Sequence, residues 1–215
     1  MAGCPIKNYY NPYGEFPEIA CPTASCSGPP GDMACFALWE KYAMRPNIRR
    51  HCLQVAKIAT ALAQKARALG FDVCPATVRA SALLHDIAKT YCIRYGGSHA
   101  QLGAAWALSE THNYEIARGV LLHVLWPWAV PDGPEICSLP FFIIYADKRV
   151  RHDAIVNLDE RFSDLLTRYG KNEMSRQSIK ASLEQGKTIE NALSSQLGWK
   201  LHEDTFDSGR LVVRT

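Results

Sequence analysis

Ala80-Ser-Ala-Leu-Leu-His-Asp-Ile-Ala-Lys89 is an apolar helical run that two adjacent polar residues, His85 and Asp86, interrupt. Burying an imidazole beside a carboxylate is costly unless another group binds both. A divalent metal ion is a natural partner, because imidazole nitrogen and carboxylate oxygen suit Zn, Fe and Mn and the ion's charge compensates the carboxylate. For these two residues alone, a buried ion pair is the alternative interpretation.

Composition and charge narrow the class of protein. The chain has 215 residues, 47% of them hydrophobic and 21% charged, which predicts one compact domain with a sizeable core. The net charge of +3 is mild, so no nucleic-acid-binding surface is expected. There is no apolar segment typical of a signal peptide, and no apolar run approaches the roughly 20 residues needed to span a bilayer. We therefore expect a cytoplasmic protein that binds no membrane; its oligomeric state stays open.

Helical periodicity extends from about Asp32 to about residue 195, with breaks at Gly, Pro or Asn. Because no alternation of period two has a useful length, the predicted fold class is all-α, a helical bundle with a metal centre in its core. Helices are predicted at about 32–45, 47–69, 76–90, 98–111, 113–126, 137–151, 156–170 and 173–195. The predicted organisation is an irregular N-terminal arm at 1–32, the metal-binding domain at 33–170, and a C-terminal helix and tail at 171–215.

Candidate metal ligands are distributed over five of these helices: His51, His85, Asp86, His99, His123 and Asp147. Helical bundles build metal centres by projecting side chains inward from facing helices. The sequences Leu121-Leu-His-Val-Leu125 and Phe141-Phe-Ile-Ile-Tyr-Ala-Asp147 are apolar enough to be interior. Taken singly, His99 could be an exposed histidine at a helix start, and His123 a core histidine bonded to the backbone.

Over residues 35–170 the pattern resembles the HD superfamily of metal-dependent phosphohydrolases, whose signature is a His, a later His-Asp pair and a distant Asp. The segment His85-Asp-Ile-Ala-Lys89 is similar to the family's His-Asp-Ile-Gly-Lys, with Ala in place of the commoner Gly. The segment Ser98-His-Ala-Gln-Leu-Gly-Ala104 resembles the His-x-x-x-Gly-Ala of the YqeK-like subgroup, which includes hydrolases of symmetrical dinucleoside tetraphosphates. The run Lys148-Arg-Val-Arg-His-Asp-Ala-Ile-Val156 departs from that subgroup, which leaves the substrate open.

The resemblance implies two divalent ions, with Fe or Mn favoured and Zn also compatible. By this resemblance, one ion would be held by His51, His85, Asp86 and Asp147, and the other by Asp86, His99 and His123. Asp86 would then bridge the two ions. Such a centre activates a water near neutral pH for attack on phosphorus. The implied activity is hydrolysis of a phosphoester or phosphoanhydride in a nucleotide-like small molecule, with Asp86, His85 and Lys89 as catalytic residues.

Basic residues near these positions are candidates for substrate binding. Lys89 lies one helical turn beyond His85, while Lys148, Arg149 and Arg151 follow the last predicted ligand. The alternative for Lys89 is a solvated lysine that the helix dipole favours, and charge runs such as the second group usually form solvated surfaces. The dipeptide His152-Asp153 repeats the His-Asp pair, but it follows a charged stretch, so it is not expected to bind a metal.

The cysteines near the N-terminus have a loose spacing: Cys4, Cys21, Cys26 and Cys35. Structural zinc sites favour pairs two to four residues apart, and only Cys21-x-x-x-x-Cys26 approaches this spacing. Free thiols are therefore the favoured interpretation.

Two further function classes remain alongside the enzyme. The protein could be a regulatory module that keeps the metal cavity in order to sense a nucleotide. It could also be a nuclease, which the modest charge disfavours. The complete ligand set favours the enzyme, because a module freed from catalysis could lose ligands without consequence.

Overall fold

The computed structural model describes residues 28–203, whose regular secondary structure is almost entirely helical, as the sequence predicted. The helices are α1 (Asp32–Lys41), α2 (Pro46–Ala68), α3 (Pro75–Leu84), α4 (Lys89–Tyr95), α5 (His99–Thr111), α6 (Tyr114–Leu122), α7 (Leu139–Lys148), α8 (Leu158–Tyr169) and α9 (Glu173–Leu197). Short 3₁₀ turns occur at Pro134–Ile136 and Leu201–Glu203. Most of the predicted N-terminal arm, with Cys4, Cys21 and Cys26, and the tail after residue 203 lie outside the described residues.

The core forms around α2 and α7. Helix α2 packs against α3 on one side and α7 on another, and its apolar stripe, including Val55, Ile58 and Leu62, is fully buried. Helix α7 is buried along almost its whole length because α2, α3, α6, α8 and α9 all contact it. Each fully buried aliphatic side chain contributes roughly 1.5–3 kcal/mol. This packing fixes α7, whose last turn carries the predicted ligand Asp147.

Several helices begin at residues suited to that position. Pro46 and Pro75 occupy the first positions of α2 and α3, where a missing backbone N–H costs nothing. The side chains of Ser98, Asn113 and Asn157 accept hydrogen bonds from the first turns of α5, α6 and α8. The starts of these helices therefore follow from local sequence.

The predicted helix at 76–90 is divided in the structure. Helix α3 ends at Leu84, a turn covers 85–88, and α4 begins at Lys89. In this turn the N–H of Ile87 donates to the carbonyl of Leu84 and the N–H of Lys89 to that of Asp86, both three residues back. The tightened turn places His85 and Asp86 at the end of α3 instead of within a regular helix.

The predicted helix at 137–151 ends early, at Lys148, and a small hairpin follows. Its strands, β1 (Val150–Arg151) and β2 (Ala154–Ile155), are antiparallel, with Val150 opposite Ile155. His152 closes the turn with φ of 59°. The sequence analysis missed this hairpin because two-residue strands are too short to show an alternating pattern.

Candidate metal centre

The structure brings all six predicted ligands into one cluster. His51 comes from α2 and Asp147 from α7, while His99 is the first residue of α5. The other three, His85, Asp86 and His123, follow the last turns of α3 and α6. Packing of α2 against α3 and α7, and of α5 against α6, therefore assembles the cluster.

One half of the cluster forms around Asp147. Nε2 of His51 lies 2.8 Å from Oδ1 of Asp147, and Nε2 of His85 lies 3.8 Å from the same oxygen. The ligand atoms of these three residues all lie within 4.8 Å of one another. This is a suitable grouping for one metal ion.

The other half of the cluster forms around Oδ1 of Asp86. Oδ1 of this carboxylate lies 3.4 Å from Nε2 of His99 and 3.6 Å from Nε2 of His123. His85, Asp86 and His123 also form a group with all ligand atoms within 4.8 Å. His85 thus belongs to two possible groups, so the geometry leaves the division of ligands between two ions less strict than the resemblance implies.

Asp86 lies between the two halves. Its Oδ2 faces the first half, 3.5 Å from Nε2 of His85 and 3.9 Å from Nε2 of His51, and accepts a hydrogen bond of 2.7 Å from Nζ of Lys89. Its Oδ1 faces the second half. A carboxylate with one oxygen toward each group of histidines could contribute one oxygen to an ion in each half.

Backbone carbonyls set the tautomers of three histidines. Nδ1 of His85 donates to the carbonyl of Ala82 at 2.7 Å, and Nδ1 of His123 donates to that of Val120 at 2.6 Å. Nδ1 of His51 lies 3.2 Å from the carbonyl of His152. Because a carbonyl can only accept, each Nδ1 carries a proton and each Nε2 faces the cluster.

Two buried polar atoms at the centre have no hydrogen-bond partner among the described residues. They are Nε2 of His85 and Oδ1 of Asp86, in residues that are fully buried. Leaving such atoms unsatisfied costs about 1–3 kcal/mol each, and more for a charged group. A divalent cation accepts electron pairs from both atoms, so the donor set fits a metal site.

The electrostatics keep both carboxylates ionised. Burial raises the pKa of Asp86, but Lys89 and His85 outweigh this effect and hold the pKa well below its usual value. The pKa of Asp147 is likewise low, because His51 outweighs the effect of burial. In turn Asp86 raises the pKa of Lys89 despite burial, so the ammonium stays charged. The centre thus presents the anionic oxygens that metal binding needs.

The histidines differ in their proton affinity. Burial lowers the pKa of His99 to about 4, so this ring is neutral near pH 7, and burial also lowers the pKa of His51. Burial acts in the same sense on His85, but Cys52 and Asp86 outweigh it and raise the pKa well above the usual value. A metal that binds Nε2 of His85 therefore displaces a proton.

Two cavities open beside the cluster. The larger has a volume of about 530 Å³ and is lined by Asn47, Ile48, His51, Asp86, Lys89, Ile93, His152, Arg161, Leu165, Arg168 and Tyr169. The smaller has a volume of about 180 Å³, and its lining includes His99, His123, Asp147 and Lys148. Lys89, Arg161 and Leu165 line both.

Of the residues predicted to bind substrate, Lys89 and Lys148 line a cavity. Lys89 faces both cavities from its position beside Asp86. Lys148 lines the smaller one, where its Nζ donates to the carbonyl of Val124 at 3.0 Å and burial lowers its pKa to about 8. Arg151 is half-buried in β1 and lines neither cavity.

The structure places Arg149 in the core instead of the site. Its side chain is fully buried, and Nε donates to the carbonyl of Val156 at 2.6 Å while Nη1 donates to that of Leu201 at 2.8 Å. Nη1 also donates to the hydroxyl of Tyr145, which donates to Glu190. The predicted substrate contact of Arg149 is therefore corrected to a structural one that ties α7 to the segments after the hairpin and after α9.

Sequence analysis missed two arginines of the larger cavity, Arg161 and Arg168. Both lie on α8, beyond the residues that carry the motif. Their spacing of seven residues places them on one helical face, which was the available signal. His152 also contributes to this cavity: its carbonyl orients His51, and its imidazole nitrogens lie 3.3 and 3.4 Å from Nη1 of Arg168.

The described cysteines are all free: Cys35, Cys52, Cys74, Cys92 and Cys137. Cys35 is buried, with its Sγ 4.0 Å from the carbonyl of Pro30. A cysteine-bound metal involving the N-terminal residues falls outside the described part of the chain.

Comparison with known families gives one match in this part of the chain. Residues 48–151 match the model of the HD domain, and all six clustered residues lie within that span. The match supports the HD superfamily for this part of the chain, and the HD domain is typical of metal-dependent phosphohydrolases. No curated protein and no solved structure matches the chain. Among the described residues, no helix is both long and apolar enough to cross a membrane.

Proposed function

We propose that the protein is a metal-dependent phosphohydrolase that cleaves a phosphoester or phosphoanhydride bond in a nucleotide-like small molecule. The observation that carries this proposal is the position of Asp86, whose two oxygens face two separate groups of histidines. A bridging carboxylate between two such groups is the arrangement of a dinuclear hydrolytic centre. Two ions, Fe or Mn, with Zn also compatible, are proposed for it.

Divalent ions in such a centre supply an activated water as nucleophile and positive charge for the phosphoryl oxygens. The protein's own residues hold the reactants in place. Carbonyl contacts fix the rings of His51, His85 and His123, so that their Nε2 atoms need no reorientation. The ammonium of Lys89 faces both cavities and attracts an anionic substrate toward the bridging carboxylate.

The larger cavity supports a substrate of nucleotide size. Its volume of about 530 Å³ lies within the usual range for small-molecule sites. Ile48, Leu165 and Tyr169 give it an apolar part against which a ring can pack, while Asn47 and Lys89 offer polar groups. The motif resemblance to the YqeK-like subgroup makes a dinucleoside polyphosphate one member of the substrate panel.

The test is release of phosphate or nucleotide from mononucleotides, nucleoside di- and triphosphates and dinucleoside polyphosphates. The protein is purified without oxygen and supplied with Fe or Mn, and Asp86→Ala is the control. We expect turnover of at least one compound, abolished in the variant. If the wild type binds metal but hydrolyses none of them, the hydrolase proposal is wrong and a regulatory nucleotide-binding module becomes the better interpretation.

A further inference from the structure

Helix α8 lies outside the matched HD segment, yet it forms a wall of both cavities. Arg161 and Leu165 line the two cavities, and Arg168 and Tyr169 line the larger one. Positions separated by four and seven residues share a helical face, so Arg161, Leu165 and Arg168 are presented together. The residues beyond the HD segment therefore complete the space in front of the metal centre.

The two arginines of this wall share a single carboxylate. Nη1 of Arg161 and Nε of Arg168 each lie 3.6 Å from Oδ2 of Asp164. This distance exceeds that of a good hydrogen bond. Asp164 neutralises the charge of one guanidinium at most, so the pair keeps an excess positive charge toward the cavity.

Arg161 also has donor capacity to spare. Its side chain is 14% exposed, and its buried Nε has no hydrogen-bond partner in the described part of the chain. A guanidinium offers five N–H donors in a planar fork that matches the oxygens of a phosphate. An anion in the cavity would give the terminal Nη donors a closer partner than Asp164, whose Oδ2 lies 3.6 Å from Nη1.

The position of Arg161 indicates where such an anion would lie. Arg161 is one of three residues that line both cavities, and Lys89, another of them, contacts the bridging Asp86 at 2.7 Å. The smaller cavity adds a third cation, Lys148. An anion at the junction is therefore surrounded by cations of α4, α7 and α8 next to the metal centre.

We infer that Arg161 binds a phosphate group of the substrate at the junction of the two cavities and thereby makes α8 part of the substrate-binding site. This inference rests on the proposed function for the identity of the anion. Arg168 extends the same positively charged face into the larger cavity. The role is substrate binding, so Arg161 is not expected to affect metal content.

The experiment measures binding of inorganic pyrophosphate to the metal-loaded full chain by calorimetry, with metal content determined before and after titration. Arg161→Gln is expected to weaken binding at least about tenfold, because a hydrogen bond to a charged group is lost. Arg161→Lys keeps the charge without the planar fork and is expected to recover part of the affinity. Arg118→Gln is the matched control, since Arg118 pairs with Glu115 on α6 and lines neither cavity.

The outcomes separate this inference from the proposed function. Arg161-dependent binding of pyrophosphate in a protein that hydrolyses no substrate would support this inference while the hydrolase proposal fails. Turnover by the wild type, together with unchanged pyrophosphate affinity and KM in Arg161→Gln, would overturn this inference alone. Loss of metal in both Arg161 variants would also overturn it, because the residue would then serve the centre itself. A wild type that binds no pyrophosphate would exclude it as well.

Discussion

Nε2 of His99 lies 3.2 Å from Nε2 of His123, although the two residues are 24 positions apart. Packing of α5 against α6 creates this contact. Because His123 donates its Nδ1 proton to Val120, its Nε2 in the neutral ring can only accept. Two imidazole nitrogens and Oδ1 of Asp86 thus converge on one point, which is the second half of the candidate metal centre.

Removing either histidine of this pair should empty one half of the centre and spare the other. His99→Ala and His123→Ala are each expected to bind one metal equivalent instead of the two proposed for the wild type, because the proposed ligands around Asp147 remain. Elemental analysis of protein loaded without oxygen measures the stoichiometry. His112→Asn is the control, since His112 is exposed and has φ of 49°, which Asn tolerates. Unchanged stoichiometry in both alanine variants would remove the second site.

Substitution of Asp86 should affect both halves together. Asp86→Asn keeps the shape of the side chain but removes the charge, so we expect metal affinity to fall by at least about 100-fold, the upper end of the loss seen when residues that merely support metal ligands are changed. Hydrolytic activity should fall together with metal affinity, and added metal should not fully restore the activity. The affinity is measured by competition with a chelator. Wild-type metal content together with wild-type turnover would show that Asp86 is neither ligand nor bridge.

Much of the candidate site could be predicted from the sequence because the proposed metal ligands interrupt apolar runs. His85, His123 and Asp147 each follow a stretch whose neighbours are buried, and the structure places all three in the same cluster. The order of helices was also predictable, since Gly, Pro and Asn mark most of their ends. The sequence did not predict that these residues lie at helix ends, because the tightened turn at 85–88 depends on hydrogen bonds and packing that periodicity does not encode.

Charged residues were the least predictable part. A sequence shows that Arg149 and Arg161 carry the same charge. It does not show that Arg149 faces Glu190 in the core while Arg161 faces a cavity. That difference depends on whether a long-range partner is present, and the partners of Arg149 lie as far away as Leu201. The position of Arg149 just after the predicted ligand Asp147 made it a candidate for substrate binding, and tertiary packing decides otherwise.

The structural role of Arg149 leads to a stability prediction. Arg149→Met leaves the buried carboxylate of Glu190 and two backbone carbonyls without their guanidinium partner. We expect the free energy of unfolding to fall by about 3–5 kcal/mol, as for other broken buried ion pairs. Urea denaturation measures this change.

Arg151→Met is the matched control for that experiment. Arg151 is half-buried at the hairpin, and we expect its substitution to change the free energy of unfolding by about 0.5 kcal/mol or less. If Arg149→Met were as stable as the wild type and raised KM instead, the original substrate assignment would be restored.

The described cysteines should react in a definite order. Hydrogen bonds from Thr77 lower the pKa of Cys74, whose side chain is exposed, whereas burial raises the pKa of Cys35 to about 11. The thiolate is the reactive form, and a lower pKa populates it at lower pH. At pH 8 iodoacetamide should therefore modify Cys74 well before Cys35, as followed by peptide mass spectrometry.

The pH dependence of the modification rate and one variant test whether Thr77 lowers the pKa of Cys74. The rate at Cys74 should level off at a lower pH than that of an unperturbed thiol. Thr77→Val should shift the profile to higher pH, because the hydroxyl that stabilises the thiolate is gone. Equal rates at Cys74 and Cys35 in the folded protein would contradict the assignment.

The close packing of α6 against α3 and α7 depends on Gly119. A Cβ at this position would lie well inside van der Waals contact with Leu139 and with Oγ of Ser81, which donates to the carbonyl of Ile116. Gly119→Ala should therefore destabilise the protein by about 1–3 kcal/mol, the usual cost of overpacking. Because His123 follows α6 directly, the displaced helix should also weaken metal binding in the second half of the centre.

Gly103→Ala is the control: its Cβ would lie 3.2 Å from a side-chain methyl of Val120, so both effects should be smaller. Equal behaviour of the two variants in urea denaturation and metal titration would show that α6 adjusts without cost.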